Sequence, residues 1–421
     1  MKITLLNGNS TDSPFNDYLT EVQSALENAG HLVTRLDLRR LSLRYCIGCF
    51  GCWVKTPGQC VSCDASLEMD RAVVQSDFTL WAAPLKMGFP STLLKMATDK
   101  FLPLIHPYIV VDHMEAHHLA RYNHYPCLGL LVEKEATTDE TDQHIVTEIY
   151  QRTALNLKSH LEFSLTTETP PAELARHITD RDLPPLPFPK ALAPTHGSTI
   201  TPPTRLTLLN GSPRGRKGNT PIMLEQFAKG FGGPTETYHL VRVKETDNFV
   251  QAFAAAECAW IGFPLYTDAM PGVVKHFIEA LEPLAGRSGN PPLGFLVQSG
   301  FPEAAHSRYV EHYLEKLAAR LGSPYLGTIV KGGGEGVHVM PPQMTRGLFE
   351  NLQALGASLA RDGQLDPQVM ASTASPEHYP AYTLPFFLVF LRTSLGHSYF
   401  DGMLKENGVY EQRFDRPFAE M

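Results

Sequence analysis

The sequence predicts an α/β chain with two tandem, doubly wound parallel sheets, each with helices on both faces, followed by a C-terminal tail. Three observations predict this fold class: the length of 421 residues, apolar runs that alternate with helix-like segments, and the occurrence of the same segments twice. A domain usually takes roughly 100–200 residues, so this length suits two domains. Apolar residues make up 43% and charged residues 19% of the chain, which is a globular composition.

The first repeated segment is a strand that runs into an Asn-Gly turn. Residues 3–8 read Ile-Thr-Leu-Leu-Asn-Gly, and residues 206–211 read Leu-Thr-Leu-Leu-Asn-Gly. Each is a short apolar run, as is typical of a buried parallel strand. A helix-like segment follows each run, and the two predicted helices are Phe15–Ala29 and Asn219–Phe231.

Two further pairs of segments repeat in the same order. A Pro-Leu pair follows a strand-like run in each half, and the two pairs lie 180 positions apart: Pro84-Leu85 after Phe78–Ala83, and Pro264-Leu265 after Ala259–Phe263. A third pair of strands is predicted after a proline in each half: Leu128–Val132 and Leu293–Val297. Strands that alternate with helices indicate βαβ units and a parallel sheet.

These repeats divide the chain into two domains, a linker and a tail. We expect the first domain over residues 1–182 and the second over residues 204–374. Residues 183–203 contain seven prolines, which predicts an extended and fairly stiff linker. The repeat stops near Ser375, and the aromatic-rich tail over residues 375–421 is expected to pack across the domains or against a second subunit.

Charge and hydropathy exclude several classes of function. The net charge of −8 at pH 7 argues against a nucleic-acid partner, because nucleic-acid binders usually carry a basic face. The first apolar run is too short for a secretory signal peptide. The apolar stretch Leu384–Leu391 is too short for a membrane span, which takes about 20 residues. We therefore expect a cytoplasmic protein that acts on small molecules.

The loop after the first strand of the second domain has the composition of a phosphate site. Residues 210–220 read Asn-Gly-Ser-Pro-Arg-Gly-Arg-Lys-Gly-Asn-Thr, which is neither a Walker A loop nor a Gly-x-Gly-x-x-Gly loop. Hydroxyl groups, an arginine and a helix N-terminus suit a phosphate monoester. The candidate ligands are Ser212, Arg214, Gly218, Asn219 and Thr220. The alternative is a polar loop whose asparagine caps the helix.

The matching loop of the first domain is a poorer phosphate site. Residues 7–13 keep hydroxyl groups but contain no arginine, and Asp12 would repel a phosphate. A capped helix start explains this loop as well as a binding site does. In the repeat, Lys86 of the first domain corresponds to Tyr266 of the second. This difference also puts a phosphate-containing ligand in the first domain in doubt.

Residues 210–220, the Gly-Phe-Pro-Leu-Tyr segment at 262–266, Pro271 and Lys275 resemble the NADPH-dependent FMN reductase family of the flavodoxin-like superfamily. This resemblance implies two flavodoxin-like domains, with the FMN phosphate in the first loop. It implies that the flavin ring lies between two further loops, formed by Pro264, Leu265, Tyr266, Thr267 and Asp268 and by Gly332, Gly333, Gly334 and Gly336. All three loops follow predicted strands, and α/β sheets bind ligands at the carboxyl ends of their strands. Taken alone, the glycine run could equally be a flexible turn.

Five cysteines lie between Cys46 and Cys63. Through them the first domain resembles the iron–sulfur flavoproteins, which implies a [4Fe–4S] cluster held by Cys46, Cys49, Cys52 and Cys60. The fifth cysteine completes a Cys-x2-Cys-x7-Cys-x2-Cys pattern that could equally bind zinc. Free or disulfide-forming thiols are the third alternative.

A cluster of five histidines lies between His106 and His124. His113 and His117 have the spacing of one helical turn and could share a metal ion. A solvated or flavin-side loop is the favoured interpretation of this segment.

These features predict an enzyme that passes electrons from NAD(P)H through bound FMN to a quinone, a flavin or another small-molecule acceptor. No catalytic side chain is required, because the cofactor supplies the chemistry. The alternative is a flavin-binding electron carrier or redox sensor without direct nicotinamide turnover. The repeat also predicts an internal pseudo-dimer, with the cysteine segment over the flavin of the second domain, and is compatible with a homo-oligomer.

Overall fold

The computed structural model describes residues 1–379, 382 and 393–419. Its contacts divide the described chain into two compact units. Unit 1 comprises Met1–Lys190 and the described part of the C-terminal segment, and unit 2 comprises Ala191–Tyr379. The apolar stretch Leu384–Leu391 lies outside the described residues. No helix within the described ranges is both long and apolar enough to cross a bilayer.

Unit 1 is built on a parallel sheet, and helices connect its strands in the order of the chain. Its strands are β1 (Lys2–Asn7), β2 (Leu32–Asp37), β3 (Phe78–Lys86), β4 (Phe89–Pro90), β5 (Ile105–Asp112), β6 (Glu115–Ala120), β7 (Cys127–Glu133) and β8 (Leu161–Thr166). Its helices before the linker are α1 (Pro14–Asn28), α2 (Gly51–Val54), α3 (Ser66–Val74), α4 (Thr92–Asp99), α5 (Glu140–Asn156) and α6 (Pro171–Asp180).

Unit 2 repeats the alternation of strands and helices. Its strands are β9 (Leu206–Asn210), β10 (Thr235–His239), β11 (Ala259–Pro264), β12 (Leu293–Gln298) and β13 (Tyr325–Lys331). Its helices are α7 (Asn219–Phe231), α8 (Thr246–Ala254), α9 (Gly272–Ala280), α10 (Arg308–Leu321), α11 (Pro342–Asp362) and α12 (Pro367–Ala374).

The two sheets have the same strand order. In unit 1 the order is β2-β1-β3-β7-β8, and in unit 2 it is β10-β9-β11-β12-β13. Neighbouring strands in these two orders pair in parallel, and the short β4 pairs antiparallel with the end of β3. Counted within each unit, this is the 2-1-3-4-5 order of the flavodoxin-like fold. The predicted fold class is confirmed.

Apolar side chains on the strands explain why these sheets form. In unit 1, Ile3 and Leu5 of β1 pack with Phe15 and Leu19 of α1 in one buried cluster. In unit 2, Leu206 and Leu208 of β9 pack in the same way with residues of α7 and α11. Strands that are buried along nearly their whole length, such as β1 and β9, fit a parallel sheet whose two faces are both covered by helices.

The histidine-rich segment of unit 1 is a β-hairpin, so the prediction of a solvated loop is wrong here. The strands β5 and β6 pair antiparallel, and His113 (φ +49°) and Met114 (φ +67°) form the turn between them. The β-branched run Ile109-Val110-Val111 favours a strand over a helix. His117 is buried, and its Nδ1 lies 2.7 Å from the side-chain oxygen of Asn156.

Residues 375–379 of the C-terminal tail belong to unit 2, and its later described residues belong to unit 1. Its helix, α13 (Ser394–Glu406), contributes Leu404 to a buried cluster with Cys52, Trp53 and Ile105. The Trp53 indole N–H donates to the carbonyl groups of Leu102 and Ile105 at 3.0 and 2.9 Å. The tail helix therefore covers the apolar side of the cysteine segment.

The end of the proline-rich segment packs along unit 2. Thr195 is buried, and its backbone N–H and hydroxyl both donate to the Glu311 carboxylate, at 3.0 and 2.8 Å. The N–H of Ser198 donates to the carbonyl of Tyr325 at 2.6 Å. These bonds attach this part of the chain to α10 and to the edge strand β13.

Candidate functional site

The loop between β9 and α7 is folded by its own polar contacts. The Asn210 side-chain oxygen accepts from the Ser212 N–H at 3.0 Å, and its amide donates to the Gly215 carbonyl at 3.1 Å. A Cβ on Gly218 would lie 2.1 Å from the Ser212 hydroxyl oxygen, so only glycine fits there. The loop thus brings Ser212 and the N-terminus of α7 together, as a phosphate site requires.

Two predicted phosphate ligands also hold the Gly-rich loop. The Arg214 guanidinium forms an ion pair with the Glu335 carboxylate at 2.6 Å. The Asn219 side-chain amide donates to the Glu335 carbonyl at 2.6 Å, and its oxygen accepts from the His338 N–H at 2.9 Å. The first and third predicted loops are therefore joined directly. An incoming phosphate would compete with Glu335 for Arg214.

Buried polar atoms at this edge of the sheet show that the residues suit a polar ligand. Within the described part of the chain, the Thr220 hydroxyl and the Gln298 side-chain oxygen are buried without a hydrogen-bond partner. An unpaired buried polar group is costly, on the order of 1–3 kcal/mol. With Ser212, Arg214 and the helix N-terminus, the donor set fits a phosphate monoester such as that of FMN.

The second predicted loop is a tight turn at the end of β11. The N–H of Tyr266 donates to the Ala269 carbonyl at 2.8 Å, and the N–H of Ala269 donates back at 3.1 Å. Between them Thr267 (φ +42°) and Asp268 (φ +58°) adopt the left-handed conformation. A β-branched residue rarely adopts this conformation, and such strain is concentrated at functional sites.

The third predicted loop needs its glycines for close approach to neighbouring backbone. A Cβ on Gly332 would lie 2.1 Å from the Pro302 carbonyl oxygen, and one on Gly334 would lie 2.5 Å from the Gln298 side-chain oxygen. Gly333 has φ +68°, and its N–H donates to the Phe301 carbonyl at 2.7 Å. The run forms a turn that packs closely against neighbouring residues, and its place beside a flavin ring stays a prediction.

Unit 1 has the same turn, and one of its own carboxylates binds it. Met87 (φ +53°) and Gly88 (φ +76°) occupy the positions of Thr267 and Asp268. Their two N–H groups donate to the two oxygens of the Glu135 carboxylate, both at 2.7 Å. This arrangement fits the expectation that unit 1 is the poorer flavin site, because a side chain of the protein occupies the equivalent turn.

The four cysteines predicted as cluster ligands line one cavity of about 180 Å³ in unit 1. They are Cys46, Cys49, Cys52 and Cys60, and Cys63 is absent from the described lining. Cys52 is buried and Cys49 is exposed, so the cavity is open on one side. In the part of the chain that the structure describes, no three of these sulfur atoms lie within 4.8 Å of one another. Sulfur atoms around a single zinc ion lie closer than this, at roughly 3.8 Å, given Zn–S bonds of about 2.3 Å.

Donors surround the sulfur atoms of this cavity. The N–H of Gly51 donates to the Cys49 sulfur at 3.4 Å, and the Lys100 ammonium donates to the Cys60 sulfur at 3.4 Å. Burial raises the pKa of the Cys46 thiol to about 12 and that of Cys52 well above its ordinary value. Without a metal these two cysteines are thiols, and metal binding would release their protons. A compact set of thiolates with hydrogen-bond donors fits an iron–sulfur cluster.

Asp70 of α3 is a fully buried carboxyl near this cavity. Both of its oxygens lack a hydrogen-bond partner among the described residues. Burial, and secondarily the proximity of Cys60, raises the pKa of its carboxyl well above the ordinary value. The folded state therefore favours the protonated form, and ionisation above the unfolded-state pKa of about 3.9 costs stability.

We expect Asp70→Asn to raise the midpoint of thermal unfolding at pH 8, because the amide removes a carboxyl that resists ionisation. The gain should shrink as the pH falls toward about 4, where the carboxyl is protonated in both states. Asp180→Asn is the matched control, since Asp180 is exposed at the end of α6. A gain that is the same at both pH values, or that the control reproduces, would contradict this explanation.

Several residues of the site are not evident from sequence patterns. Three of them bond to residues distant in the chain: Glu335 in unit 2, and Glu135 and Lys100 in unit 1. The fourth, Gln298 in unit 2, lies close to Gly334. One signal was available for Glu335, because it is the single charged residue within the glycine run at 332–336. The others have ordinary sequence surroundings.

Part of the chain is similar to a known protein. No protein-family model matches the sequence. A curated iron–sulfur flavoprotein from Archaeoglobus fulgidus is 33% identical over 81 residues, which are 19% of this chain and 36% of that protein. The chain therefore spans about a third of the length of the curated relative it matches. Over that segment the predicted resemblance to iron–sulfur flavoproteins is confirmed.

Solved structures with similar folds include flavin-dependent enzymes. An FMN-dependent NADH-azoreductase from Bacillus anthracis, in complex with FMN, is 13% identical, with 37% of this chain and 99% of that chain covered and a TM-score of 0.29. An NAD(P)H:quinone oxidoreductase from Methanothermobacter marburgensis is 15% identical, with 37% and 95% covered and a TM-score of 0.28.

Proposed function

We propose that this chain is a flavin-dependent oxidoreductase that takes electrons from NAD(P)H and passes them to a quinone, a flavin or a similar small acceptor. The observation that carries the proposal is the arrangement at the carboxyl edge of the unit 2 sheet. There the phosphate-type loop is joined to the Gly-rich loop through Arg214 and Asn219. The strained turn at Thr267 and Asp268 follows β11, which pairs with β9 and β12.

The residues of unit 2 divide between the two ends of FMN. Ser212, Arg214, Gly218, Thr220 and the N-terminus of α7 would hold the phosphate, because they combine hydroxyls, a cation and backbone N–H groups. Pro264, Leu265, Tyr266, Thr267 and Asp268 would border one side of the flavin ring, with Gly332, Gly333, Gly334 and Gly336 on the other. Bound FMN would supply the redox chemistry, so no side chain need act as acid, base or nucleophile.

The role proposed for Asn219 is to order the loops. Its amide groups already bond to Glu335 and His338, so its contribution to the phosphate is its backbone N–H at the start of α7. Glu335 would leave Arg214 when the phosphate enters, since one guanidinium binds the doubly charged phosphate more strongly than one carboxylate.

In unit 1 we propose that Cys46, Cys49, Cys52 and Cys60 hold a [4Fe–4S] cluster. The relative named above is an iron–sulfur flavoprotein, and the four cysteines line one cavity with Lys100 beside it. Such a cluster would carry single electrons. The predicted pseudo-dimer, with this cysteine segment over the flavin of unit 2, stays a prediction, as does a homo-oligomer.

The second candidate is an electron carrier or redox sensor that binds flavin without turning over NAD(P)H. The cysteine cavity favours this candidate, because a one-electron centre has no need of a nicotinamide site in the same chain. The two candidates differ in how the flavin is reduced, and one experiment separates them.

The test is the absorbance spectrum of the anaerobically purified full-length chain, followed by addition of NADH or NADPH. We expect bound FMN near one per chain, identified after release, and bleaching of its absorbance by one of the two nicotinamides. If the chain binds FMN but only a chemical reductant bleaches the FMN absorbance, the result would favour the electron carrier or redox sensor. A chain that neither retains nor binds added FMN would contradict both candidates.

A further inference from the structure

A cavity next to the Gly-rich loop has a lysine in its lining. Lys331 is the last residue of β13, and it lines a cavity of about 410 Å³ together with Gly332 and Gly333. The remaining lining comes from Pro302, from residues between 337 and 351 before and within α11, and from residues between 372 and 376 at and after the end of α12, so the whole described cavity belongs to unit 2. Cavities of about 300–1,000 Å³ are typical sites for small organic ligands.

The charge of Lys331 is not balanced by the described residues. The side chain is partly buried, and burial alone lowers the pKa of its ammonium. The described lining contains no carboxylate, and no described side chain forms an ion pair or hydrogen bond with this ammonium. A partly buried cation without a counter-charge is costly, and a ligand anion would relieve that cost.

The rest of the lining is mostly apolar and adaptable. Val337, Met340, Met344 and Leu348 form one wall. Methionine side chains are flexible and polarisable, so they fit ligands of differing shape. The described lining also contains the polar residues Thr345, Asn351, Ser372 and Thr373. The Asn351 amide donates to the Ser372 hydroxyl at 3.2 Å. One cation next to an apolar wall suits an amphiphilic ligand rather than a highly charged one.

We propose that this cavity binds a small organic monoanion, an apolar body that carries a single carboxylate or sulfonate, with its charge on Lys331. A nucleotide or pyrophosphate is a poorer match, because several phosphate charges would meet one ammonium. The site requires no flavin, and so it goes beyond the proposed oxidoreductase function. Its position against Gly332 and Gly333 puts the ligand beside the loop to which the flavin ring is assigned.

The test uses two fluorescent probes with the same ring system, anilinonaphthalene sulfonate and the neutral N-phenylnaphthylamine. Both are titrated into the full-length chain, with and without added FMN. We expect Lys331→Met to weaken binding of the sulfonate about tenfold or more while leaving the neutral probe unchanged, because loss of a charge-assisted contact is worth at least about a factor of ten. Lys331→Arg should restore most of the affinity. Lys229→Met is the matched control, since Lys229 is exposed on α7 and outside the cavity.

A second variant tests the cavity without touching the charge. Gly347 lines the cavity from within α11, and a Cβ there meets no atom within 4 Å. Gly347→Leu should therefore fill the cavity while the helix is kept or strengthened, and both probes should lose affinity. Equal sulfonate affinity in Lys331→Met and Lys229→Met, or unchanged binding of both probes in Gly347→Leu, would overturn the proposal. FMN binding that fails while these probe results hold would count against the oxidoreductase function alone.

Discussion

Replacing Cys49 with serine should remove most of the iron and inorganic sulfide from the anaerobically purified chain. Cys49 lines the cysteine cavity and is exposed, so its loss should spare the fold. Occupancy should fall at least about tenfold, because even the outer partners of metal ligands are worth about 10–100-fold in affinity. Iron and sulfide analysis, together with the visible absorption spectrum, measures the result.

Cys63→Ser is the control that separates the cluster from zinc. Cys63 is also exposed, but it does not line the described cavity. A cluster held by Cys46, Cys49, Cys52 and Cys60 should survive this change with its iron intact. Equal metal loss in the Cys49 and Cys63 variants, with zinc as the metal released, would contradict the cluster and favour the Cys-x2-Cys-x7-Cys-x2-Cys zinc site. Wild-type protein purified with neither metal would favour free thiols.

Arg214→Ala should weaken FMN binding by about 1.5–3 kcal/mol, which is about tenfold to more than a hundredfold in Kd. The reason is the loss of a charge-assisted contact with the phosphate. Arg216→Ala is the matched control, because Arg216 lies in the same loop but is exposed and its guanidinium lies 3.2 Å from the ring of His239. Fluorescence quenching of free FMN during titration measures both affinities.

Glu335→Gln tests the competition between carboxylate and phosphate at Arg214. The ion pair at 2.6 Å holds Arg214 in the protein without FMN. Its removal should leave FMN affinity equal or higher, since the phosphate no longer displaces a carboxylate. FMN affinity that is unchanged in Arg214→Ala and lost in Glu335→Gln would show that the phosphate binds elsewhere and that the pair only orders the loops.

The two units share a strand order but differ at the corresponding loops. Unit 2 has the arginine-containing loop and the Gly-rich loop, whereas in unit 1 the Glu135 carboxylate binds the turn at Met87 and Gly88. Unit 1 has instead the cysteine cavity, which the tail residue Leu404 helps to pack. Division of labour between a cluster and a flavin explains this divergence more simply than two equal flavin sites.

The sequence by itself determined the repeated strands and the helices that follow the first of them, and through them the fold class. The predicted helix Asn219–Phe231 is observed with the same bounds, and Phe15–Ala29 is observed as Pro14–Asn28. A short, mostly apolar run such as Leu206–Asn210 leaves few choices but a buried parallel strand. The repeated order of these runs then specifies two sheets of the same topology. Local pattern sufficed because helices and strands are set by neighbours along the chain.

The hairpin between Ile105 and Ala120 shows where local pattern failed. The spacing of His113 and His117 matches one helical turn, yet the β-branched residues before them and the turn at His113 produce two strands. His117 is buried because Asn156 of α5 lies against it. A short segment whose sequence has features of both a helix and a strand takes its conformation from the surface on which it packs.

Only the tertiary structure decided which side chains meet at the candidate sites. The pairing of Arg214 with Glu335 joins residues 121 positions apart in the chain. That of Lys100 with Cys60 joins residues 40 positions apart. Asp70 and Lys331 are ordinary in the sequence. They become unusual only because folding buries them, fully or in part, without a hydrogen bond or ion pair from their side chains to the described residues. Burial and long-range contact depend on how whole elements pack, and the order of residues along the chain does not record that packing.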